Sequence, residues 1–290
     1  MMSSDLSRIC FGCEALGGTD WGKVSVRDIE EAVSVALELG VNFFDTAGVY
    51  GLGLSEKRLS NTLGVKRHDV TIATKGGLAW EVLKSGERAT ITKNSSAEAI
   101  KKNVFDSLKR LKVDRLSIFY VHWPDKTVSF EETFGALNEL QSKGLIGSIG
   151  VSNFSNTELR QALRLAPVDF VQVAANLLEP SNMNSISETC VANDIKIVPY
   201  NVLASGLLMG KFSGDEEFPK DDRRSRLPLF KGKTFDDAIR KVDQFRKLAL
   251  RDDLPVGFYA VSQMFKKYPI TSSIIGIKNK EQIRFFEELI

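Results

Sequence analysis

Short, almost uninterrupted apolar runs alternate with helical patterns of apolar and polar residues along the chain. Apolar runs without regular polar alternation are typical of strands that are buried on both faces, as in a parallel sheet. The pattern therefore predicts a parallel sheet built from these runs. The eight predicted strands cover residues 9–13, 41–46, 70–74, 116–122, 146–151, 170–175, 195–200 and 272–277.

Helical patterns lie between these runs, and two of them begin with a clear capping residue. Ser25 is predicted to open a helix over 26–39, and Ser95 or Ser96 a helix over 97–111. The second helix has an apolar stripe on one face and basic residues on the other, which indicates a solvated outer face. Further helices are predicted over 55–63, 131–143, 155–165, 183–193, 236–251, 256–267 and 280–289.

The alternation of strands and helices, with no break in composition, predicts a single α/β domain over residues 1–290. Eight β/α units favour a closed (β/α)8 barrel, the TIM-barrel architecture, with eight parallel strands and surrounding helices. The rival is a doubly wound open sheet, which would carry a glycine fingerprint after its first strand if it bound a dinucleotide. Gly51-Leu52-Gly53 instead follows the second strand, and Glu56 stands where a third glycine is needed.

Composition excludes several other classes of protein. The 290 residues are 43% apolar and 26% charged, which suits a large buried core. The 39 basic and 37 acidic residues give a net charge of only +2, so no nucleic-acid partner is expected. No apolar stretch reaches membrane-spanning length, and the N-terminus lacks a secretory-signal pattern. We therefore expect a soluble, cytoplasmic protein without membrane association.

The cysteines are Cys10, Cys13 and Cys190. An odd number in a chain of this length argues against a disulfide framework. Cys10 and Cys13 have CxxC spacing, but they lie in a predicted strand, where positions three apart point to opposite faces. No second pair or nearby histidine completes a metal site. We expect buried thiols and no bound metal.

Four polar segments lie at the ends of predicted strands: 44–51 (FDTAGVYG), 72–77 (IATKGG), 120–125 (YVHWPD) and 149–154 (IGVSNF). In a (β/α)8 barrel the C-terminal ends of the strands form the working face. Neighbouring parallel strands lie about 4.8 Å apart, so side chains at the ends of successive strands come within reach of one another. The four segments are therefore predicted to form one site.

Asp45, Tyr50, Lys75 and His122 are the side chains of these segments that could donate or move a proton. A phenol has an ordinary pKa of about 10 and is a weak acid at neutral pH. An adjacent ammonium would lower that pKa, and a carboxylate would hold the ammonium in place. An imidazole could hydrogen-bond a substrate oxygen. Each residue alone has an ordinary structural interpretation, but their shared position at strand ends favours a proton-donating site.

On these segments the chain resembles the aldo-keto reductase superfamily. The resemblance is carried by FDTAGVYG, IATKGG, SSAEAIKKNVFDSLKRLKVDRLSIFYVHWPD and GLIGSIGVSNF, in the family's order, and it extends over essentially the whole chain. It implies a barrel enzyme that reduces an aldehyde, ketone or keto-sugar to the alcohol with NADPH. Tyr50 would be the general acid, and His122 would orient the carbonyl group. Lys75, paired with Asp45, would lower the pKa of Tyr50.

The resemblance also implies where NADPH would bind. Ser152, Asn153 and Gln172 match the residues that hold the nicotinamide carboxamide, and Tyr200 matches the aromatic side chain that stacks on its ring. Lys278 favours NADPH over NADH, because the 2′-phosphate needs a cation. Rim packing of Tyr200 and a solvent-facing Lys278 remain alternatives. Leu203, Ala204, Ser205 and Gly206 match the segment along the pyrophosphate, and Gly276, Lys278 and Gln282 match residues near the adenosine phosphate.

Two features depart from the family pattern. Arg284, Phe285 and Phe286 follow Gln282, where the family has the glutamate and asparagine that hold the adenine. We therefore expect the adenine to be held differently or more weakly. The sequence ends at Ile290, directly after its last predicted helix, so we expect a short C-terminal tail and one wall of the substrate pocket that is open or comes from elsewhere.

Substrate choice is expected to depend on the loops of the rim. Trp21, Trp80 and Trp123 follow the first, third and fourth strands and are the predicted walls of the substrate pocket, with rim packing as the alternative. The polar segment 212–235 is interpreted as either a lid over the cofactor or a solvated loop. If its basic residues face the pocket, a phosphorylated or nucleotide-linked sugar becomes a candidate substrate. These residues are Arg223, Arg224, Arg226 and Lys231.

Two classes of function remain open from the sequence. An NADP-dependent oxidoreductase acting on a small-molecule carbonyl compound is favoured, because the four proton-transfer residues are all present. The alternative is a cofactor-binding regulatory or interaction subunit on the same barrel. Carbonyl reduction and alcohol oxidation use the same groups, so the direction of reaction stays open. We expect a monomer or a weak homo-oligomer.

Overall fold

Eight parallel strands form one curled sheet in the computed structural model, which describes residues 6–19, 21–22, 24–82 and 89–290. Their order in the sheet is β10-β1-β2-β3-β6-β7-β8-β9, and β4 and β5 form a separate hairpin. In chain order the strands are β1 (Ile9–Gly12), β2 (Phe43–Asp45), β3 (Thr71–Gly76), β4 (Leu78–Glu81), β5 (Thr90–Lys93), β6 (Leu116–Val121), β7 (Ile146–Ser152), β8 (Phe170–Gln172), β9 (Lys196–Ile197) and β10 (Ser273–Gly276).

The two edge strands of the large sheet, β9 and β10, come together and close it. The backbone N–H of Thr271 donates to the carbonyl of Ile197 at 2.9 Å, and that of Ile274 donates to the carbonyl of Pro199 at 2.9 Å. Ile197 also forms a parallel bridge with Ile270. The predicted (β/α)8 barrel is therefore confirmed, and the open-sheet alternative is wrong. Each predicted apolar run overlaps one strand of this barrel.

Each predicted helix overlaps an observed one, although the helix predicted over 280–289 ends at Arg284 and is followed by a 3-10 turn at Glu287–Leu289. The two predicted serine caps are present. Ser25 Oγ accepts from the Asp28 N–H at 3.2 Å, and Ser96 Oγ accepts from the Ala99 N–H at 3.3 Å. Within the described ranges, none of the helices is long and apolar enough to cross a bilayer. The helices are α1 (Val26–Glu38), α2 (Leu54–Leu63), α3 (Ala97–Leu111), α4 (Phe130–Ser142), α5 (Asn156–Ala162), α6 (Ser181–Ala192), α7 (Gly232–Arg251), α8 (Val256–Lys267) and α9 (Lys280–Arg284).

The antiparallel hairpin of β4 and β5 is not predicted by the apolar pattern. Trp80 pairs with Ile91 across the hairpin, and every residue of β5 is exposed. An exposed strand carries no continuous apolar run, which is the signal that identifies the barrel strands. The hairpin follows β3 directly and so rises from the C-terminal rim of the barrel.

Buried apolar side chains fill both the inside of the barrel and the layer between the sheet and the helices. Cys10 packs in the interior cluster with Phe43 and Tyr120, whereas Cys13 packs in the outer core. All the cysteines are buried and unpaired, as predicted, and burial raises the pKa of Cys190 to about 12. The described residues include no group of three or more His, Cys, Asp or Glu side chains placed to share a metal ion.

The segment 212–235 is fastened to the barrel by aromatic packing. Short 3-10 helices lie at Arg223–Arg226 and Pro228–Phe230, and α7 begins at Gly232, earlier than the predicted 236. The rings of Phe218 and Phe230 lie 5.1 Å apart, centroid to centroid. A solvated loop therefore does not describe this segment. The phenylalanines of this cluster are Phe212, Phe218, Phe230 and Phe235.

Candidate active site

Polar side chains stand at the C-terminal ends of five neighbouring strands. They are Asp45 at the end of β2, Lys75 as the second-to-last residue of β3, His122 directly after β6, Ser152 at the end of β7 and Gln172 at the end of β8. All five line one cavity of about 770 Å³ at this rim, together with Tyr50. The strand ends therefore meet as the sequence predicts.

Asp45 and Lys75 form a buried ion pair. Lys75 Nζ donates to Asp45 Oδ1 at 2.6 Å and to the carbonyl of Thr46 at 2.9 Å. The other carboxylate oxygen, Asp45 Oδ2, accepts from Gln172 Nε2 at 2.7 Å. Both side chains of the ion pair are less than 5% exposed, with values of 3% and 4%. Since a buried charge is costly unless it is paired, these bonds keep the ammonium in place beside Tyr50.

Tyr50 is held against the ammonium and the imidazole by a tight turn. Lys75 Nζ lies 5.1 Å from the centroid of the Tyr50 ring, and the His122 ring meets it edge to face at 5.9 Å. The next residue, Gly51, has φ +56°, and a Cβ there would overlap the carbonyl of Gly17. The turn therefore requires glycine, and this close approach of two backbone segments sets the position of Tyr50.

The pKa of Tyr50 departs from the value that the sequence suggested. Burial is the largest cause and raises the pKa well above 10, and the charges of Glu14 and Asp45 raise it further. Arg223 acts in the opposite direction. Lys75 is not among the main causes of this shift, and the lowering of the Tyr50 pKa that the resemblance implies for Lys75 stays a prediction. Tyr50 is therefore a protonated phenol at neutral pH.

His122 is a neutral imidazole in this environment. It is 9% exposed. Burial lowers its pKa well below 6.5, and the nearby charge of Lys75 lowers it further. A neutral imidazole offers one N–H donor and one acceptor nitrogen to a molecule in the cavity.

Asn153 and Tyr200 are joined by a hydrogen bond on the cavity wall. The Tyr200 hydroxyl donates to Asn153 Oδ1 at 2.6 Å. Asn153 Nδ2 donates to the carbonyl of His122 at 3.0 Å and to Ser152 Oγ at 3.1 Å. Asn153 has φ +64°, a conformation that asparagine tolerates better than most residues. The structure thus brings the predicted carboxamide-binding residues and the predicted stacking tyrosine to one place.

The predicted pyrophosphate segment follows β9 in an irregular conformation. Ala204, Ser205 and Gly206 all have positive φ, of 50°, 55° and 93°. Asn201 Oδ1 stabilises this conformation by accepting from the Ser205 N–H at 2.7 Å. Such strained backbone clusters at functional sites. Leu203, Ser205 and Gly206 line the cavity.

The predicted adenosine-phosphate residues lie around the N-terminus of α9. Gly276, Lys278 and Gln282 line the cavity, and Gln282 Oε1 accepts from the Lys278 N–H at 2.8 Å. Burial is the main cause that lowers the pKa of Lys278, and Arg224 adds to this effect while Asp222 opposes it. Of the three residues that depart from the family pattern, Phe286 lies on the cavity wall.

The three tryptophans take different positions. Trp21 and Trp123 line the main cavity, and Trp123 is 40% exposed with Lys93 Nζ 5.5 Å from its ring. Trp80 instead lines a small pocket on the other side of Lys75 and His122, next to Arg110. Trp21 and Trp123 thus line the cavity in which a substrate would bind. Trp80 does not line this cavity and lies on the other side of Lys75 and His122.

An ion pair at the cavity joins two distant parts of the chain, and one of its members, Glu14, is not among the residues predicted from the sequence. Arg223 Nη1 donates to both carboxylate oxygens of Glu14, at 2.9 and 3.0 Å. The Arg223 guanidinium lies 5.2 Å from the ring of Trp21, which forms a backbone bridge with Asp222. A charged residue directly after the first barrel strand was the signal that could have identified Glu14.

Comparisons with known proteins agree with this geometry. The model of the Aldo/keto reductase family matches residues 8–285. Aldo-keto reductase YhdN of Bacillus subtilis (strain 168) is 35% identical over 247 residues, which are 84% of this chain and 73% of that protein. NADH-specific methylglyoxal reductase of Escherichia coli (strain K12) is 30% identical over 96% of this chain and 88% of its own length.

A solved structure gives the same result for the fold. The glycerol dehydrogenase AKR11B4 from Gluconobacter oxydans superimposes with a TM-score of 0.90 at 32% identity, covering 98% of this chain and 86% of that one. The match of sequence and of fold extends over nearly all of the chain. The chain therefore belongs to the aldo/keto reductase family of oxidoreductases.

Proposed function

We propose that this chain reduces a small carbonyl compound with NADPH, with Tyr50 as the general acid. The observation that carries the proposal is the position of the Tyr50 ring between the Lys75 ammonium and the His122 imidazole, at 5.1 and 5.9 Å. A protonated phenol beside a fixed positive charge and a neutral hydrogen-bond donor suits protonation of a carbonyl oxygen.

The cavity fits a nicotinamide dinucleotide. Gly206 and Gly276 line it, and neither has another heavy atom within 4 Å of the position that a Cβ would take. Their backbone therefore faces open space in which an extended ligand can lie close to the chain. We expect Ser152, Asn153 and Gln172 to hold the carboxamide of the nicotinamide.

This proposal gives a defined role to each of the four residues Asp45, Tyr50, Lys75 and His122. A bound NADPH supplies the hydride. Tyr50 donates its hydroxyl proton to the carbonyl oxygen, and the Lys75 ammonium stabilises the phenolate that this transfer leaves. Asp45 keeps the ammonium charged and in place. Neutral His122 donates its N–H to the same carbonyl oxygen and orients it. Alcohol oxidation is the reverse of these steps.

Steady-state turnover of a broad panel of aldehydes and ketones, with NADPH and NADH in parallel, tests the function. We expect carbonyl-dependent oxidation of NADPH. Tight binding of NADPH without turnover of any carbonyl compound would contradict the proposal and favour the regulatory or interaction subunit.

The preference for NADPH rests on Lys278. Its ammonium lies 4.9 Å from the ring of Trp21 on the cavity wall, where a 2′-phosphate would find a cation. We expect Lys278→Met to lower the ratio of kcat/KM for NADPH over NADH by about tenfold or more, the value of one charge-assisted bond. Lys280→Met, which removes an exposed lysine paired with Glu31, is the control. An unchanged ratio in Lys278→Met would contradict this assignment.

The substrate is expected to be small and oxygenated. Two relatives are named for their activity on methylglyoxal and on glycerol. Arg223 and Arg224 line the cavity, but each is paired with a carboxylate, that of Glu14 and that of Asp222. A nucleotide-linked or phosphorylated sugar would have to compete with these carboxylates for the guanidinium groups, so an uncharged sugar or hydroxyketone fits better.

A further inference from the structure

The carboxylate of Glu14 lies on the wall of the catalytic cavity and has no task in the proton transfer described above. Glu14 lines the same cavity as Tyr50 and His122. Its side chain keeps 34% of its surface exposed. Among the charges that act on Tyr50, that of Glu14 has the largest effect, as expected of a carboxylate close to the phenol. A charged acceptor thus lines the same cavity in which the carbonyl group would be protonated.

This carboxylate has capacity for further hydrogen bonds. Its two oxygens share one nitrogen of Arg223, at 2.9 and 3.0 Å. An ionised carboxylate has about four acceptor positions, so a single donor nitrogen leaves both oxygens able to accept from another molecule. Arg223 also lies 5.2 Å from the Trp21 ring. The ion pair and this ring contact hold the Glu14 side chain in a fixed orientation.

A substrate that displaces water from Glu14 must replace the hydrogen bonds that the water made. A carbonyl compound with only apolar substituents cannot do so, and each acceptor position of the carboxylate that loses its donor costs free energy in a desolvated site. Hydroxyl groups next to the carbonyl group replace the lost bonds. A site that hydrogen-bonds a hydroxyl group of its substrate rejects the analogue that lacks this group.

We propose that Glu14 is a specificity-determining residue that accepts hydrogen bonds from substrate hydroxyl groups, so that the enzyme prefers hydroxyketones, hydroxyaldehydes and open-chain sugars over unsubstituted carbonyl compounds. The assignment rests on the proposed function, because it names the substrates of the same cavity. Arg223 orients the carboxylate and is not itself the source of the preference.

Dihydroxyacetone and acetone form a matched pair for the test, since they share a three-carbon ketone and differ in two hydroxyl groups. We expect Glu14→Ala to lower the ratio of kcat/KM for dihydroxyacetone over acetone by about 10- to 100-fold, the range for a hydrogen bond to a charged group. Any change in cofactor binding affects both ketones and cancels in this ratio. Glu31→Ala, which removes an exposed carboxylate paired with Lys280 on the outer helices, is the matched control and should leave the ratio unchanged.

A second variant separates Glu14 from its partner. We expect Arg223→Met to lower the ratio less than Glu14→Ala does, because the carboxylate loses its fixed orientation but remains as acceptor. An unchanged ratio in Glu14→Ala, or a ratio lost in Arg223→Met and kept in Glu14→Ala, would overturn the assignment.

Failure of the proposed function would appear differently, as absence of turnover of both ketones by the unaltered chain. Binding then decides the inference on its own, by saturation-transfer NMR of dihydroxyacetone and acetone with the NADPH-supplemented protein. A preference for dihydroxyacetone that disappears in Glu14→Ala supports the assignment, and equal binding of the two ketones by the unaltered chain overturns it.

Discussion

The behaviour of Tyr50 at the residue scale depends on charges that reach it from several elements. Glu14 after β1 and Asp45 at the end of β2 raise its pKa, and Arg223 before α7 lowers it. The phenol therefore keeps its proton until the carbonyl oxygen gains negative charge during the reduction and becomes a stronger base. The fixed ammonium of Lys75 then stabilises the phenolate. The site therefore combines a phenol of raised pKa with a cation that is already in place to pair with the phenolate.

These pKa directions predict a flat pH profile for reduction. A general acid loses activity above its pKa, and a raised pKa for Tyr50 moves that loss beyond pH 10. His122 has a lowered pKa and stays neutral at and above neutral pH. We expect kcat/KM for carbonyl reduction to change by less than about twofold between about pH 7 and about pH 9. A decline with an apparent pKa inside that interval would contradict the assignment.

At the element scale, the turn after β2 positions Tyr50 through Gly51. A side chain at this position meets the Gly17 backbone and must also adopt φ +56°. We expect Gly51→Ala to lower the free energy of unfolding by about 2–5 kcal/mol, the sum of a left-handed backbone and a steric overlap. We also expect it to displace Tyr50 and lower kcat for carbonyl reduction.

Gly144→Ala is the matched control for this prediction. Gly144 follows α4 with φ +73° and has no heavy atom within 4 Å of its Cβ position, so only the backbone cost of about 1–2 kcal/mol applies. Chemical denaturation measures both variants. Equal losses of stability in the two variants would show that the contact with Gly17 does not matter.

A buried ion pair joins three elements behind the site. Glu56 on α2 is fully buried, accepts from Thr74 Oγ1 of β3 at 2.6 Å, and pairs with Arg110 Nε of α3. Removing one partner of a buried pair leaves an uncompensated charge. We expect Arg110→Met to lower the free energy of unfolding by about 3–5 kcal/mol, and Glu56→Gln in the same chain to restore part of it.

Arg240→Met provides the comparison, since Arg240 forms an exposed pair with Asp237 on α7. Exposed pairs contribute about 0–1 kcal/mol. Denaturation of the two arginine variants under the same conditions compares them directly. A loss below about 1 kcal/mol in Arg110→Met would contradict the structural role of the Glu56–Arg110 pair.

For the whole molecule, barrel closure brings residues 14 and 223 into contact across 209 positions of sequence. The barrel strands and the ends of α1 and α3 could be predicted, because continuous apolar runs and serine caps are local signals. Asp45, Lys75 and His122 could be brought together because residues at successive strand ends must converge.

Other features depend on the assembled fold and have no local signal. The raised pKa of Tyr50 comes mainly from burial and from the charge of Glu14. The local sequence around residue 50 indicates neither of these causes. Strand β5 of the β4–β5 hairpin is solvent-exposed and lacks the apolar run of a barrel strand. The pairing of Arg223 with Glu14, a residue 209 positions away in the sequence, likewise has no local signal. Tertiary contacts therefore decide the electrostatics of the site, whereas local patterns decide its location.

Replacing Tyr50 by phenylalanine tests the proposed chemistry most directly, because it removes one oxygen and leaves the ring between Lys75 and His122. We predict that kcat/KM for carbonyl reduction falls by about 10²- to 10⁴-fold, the usual contribution of a general acid. NADPH binding should stay within about threefold of the unaltered chain. Tyr259→Phe, which alters a buried tyrosine of α8, should keep full activity. Undiminished carbonyl-dependent NADPH oxidation by Tyr50→Phe would contradict the mechanism.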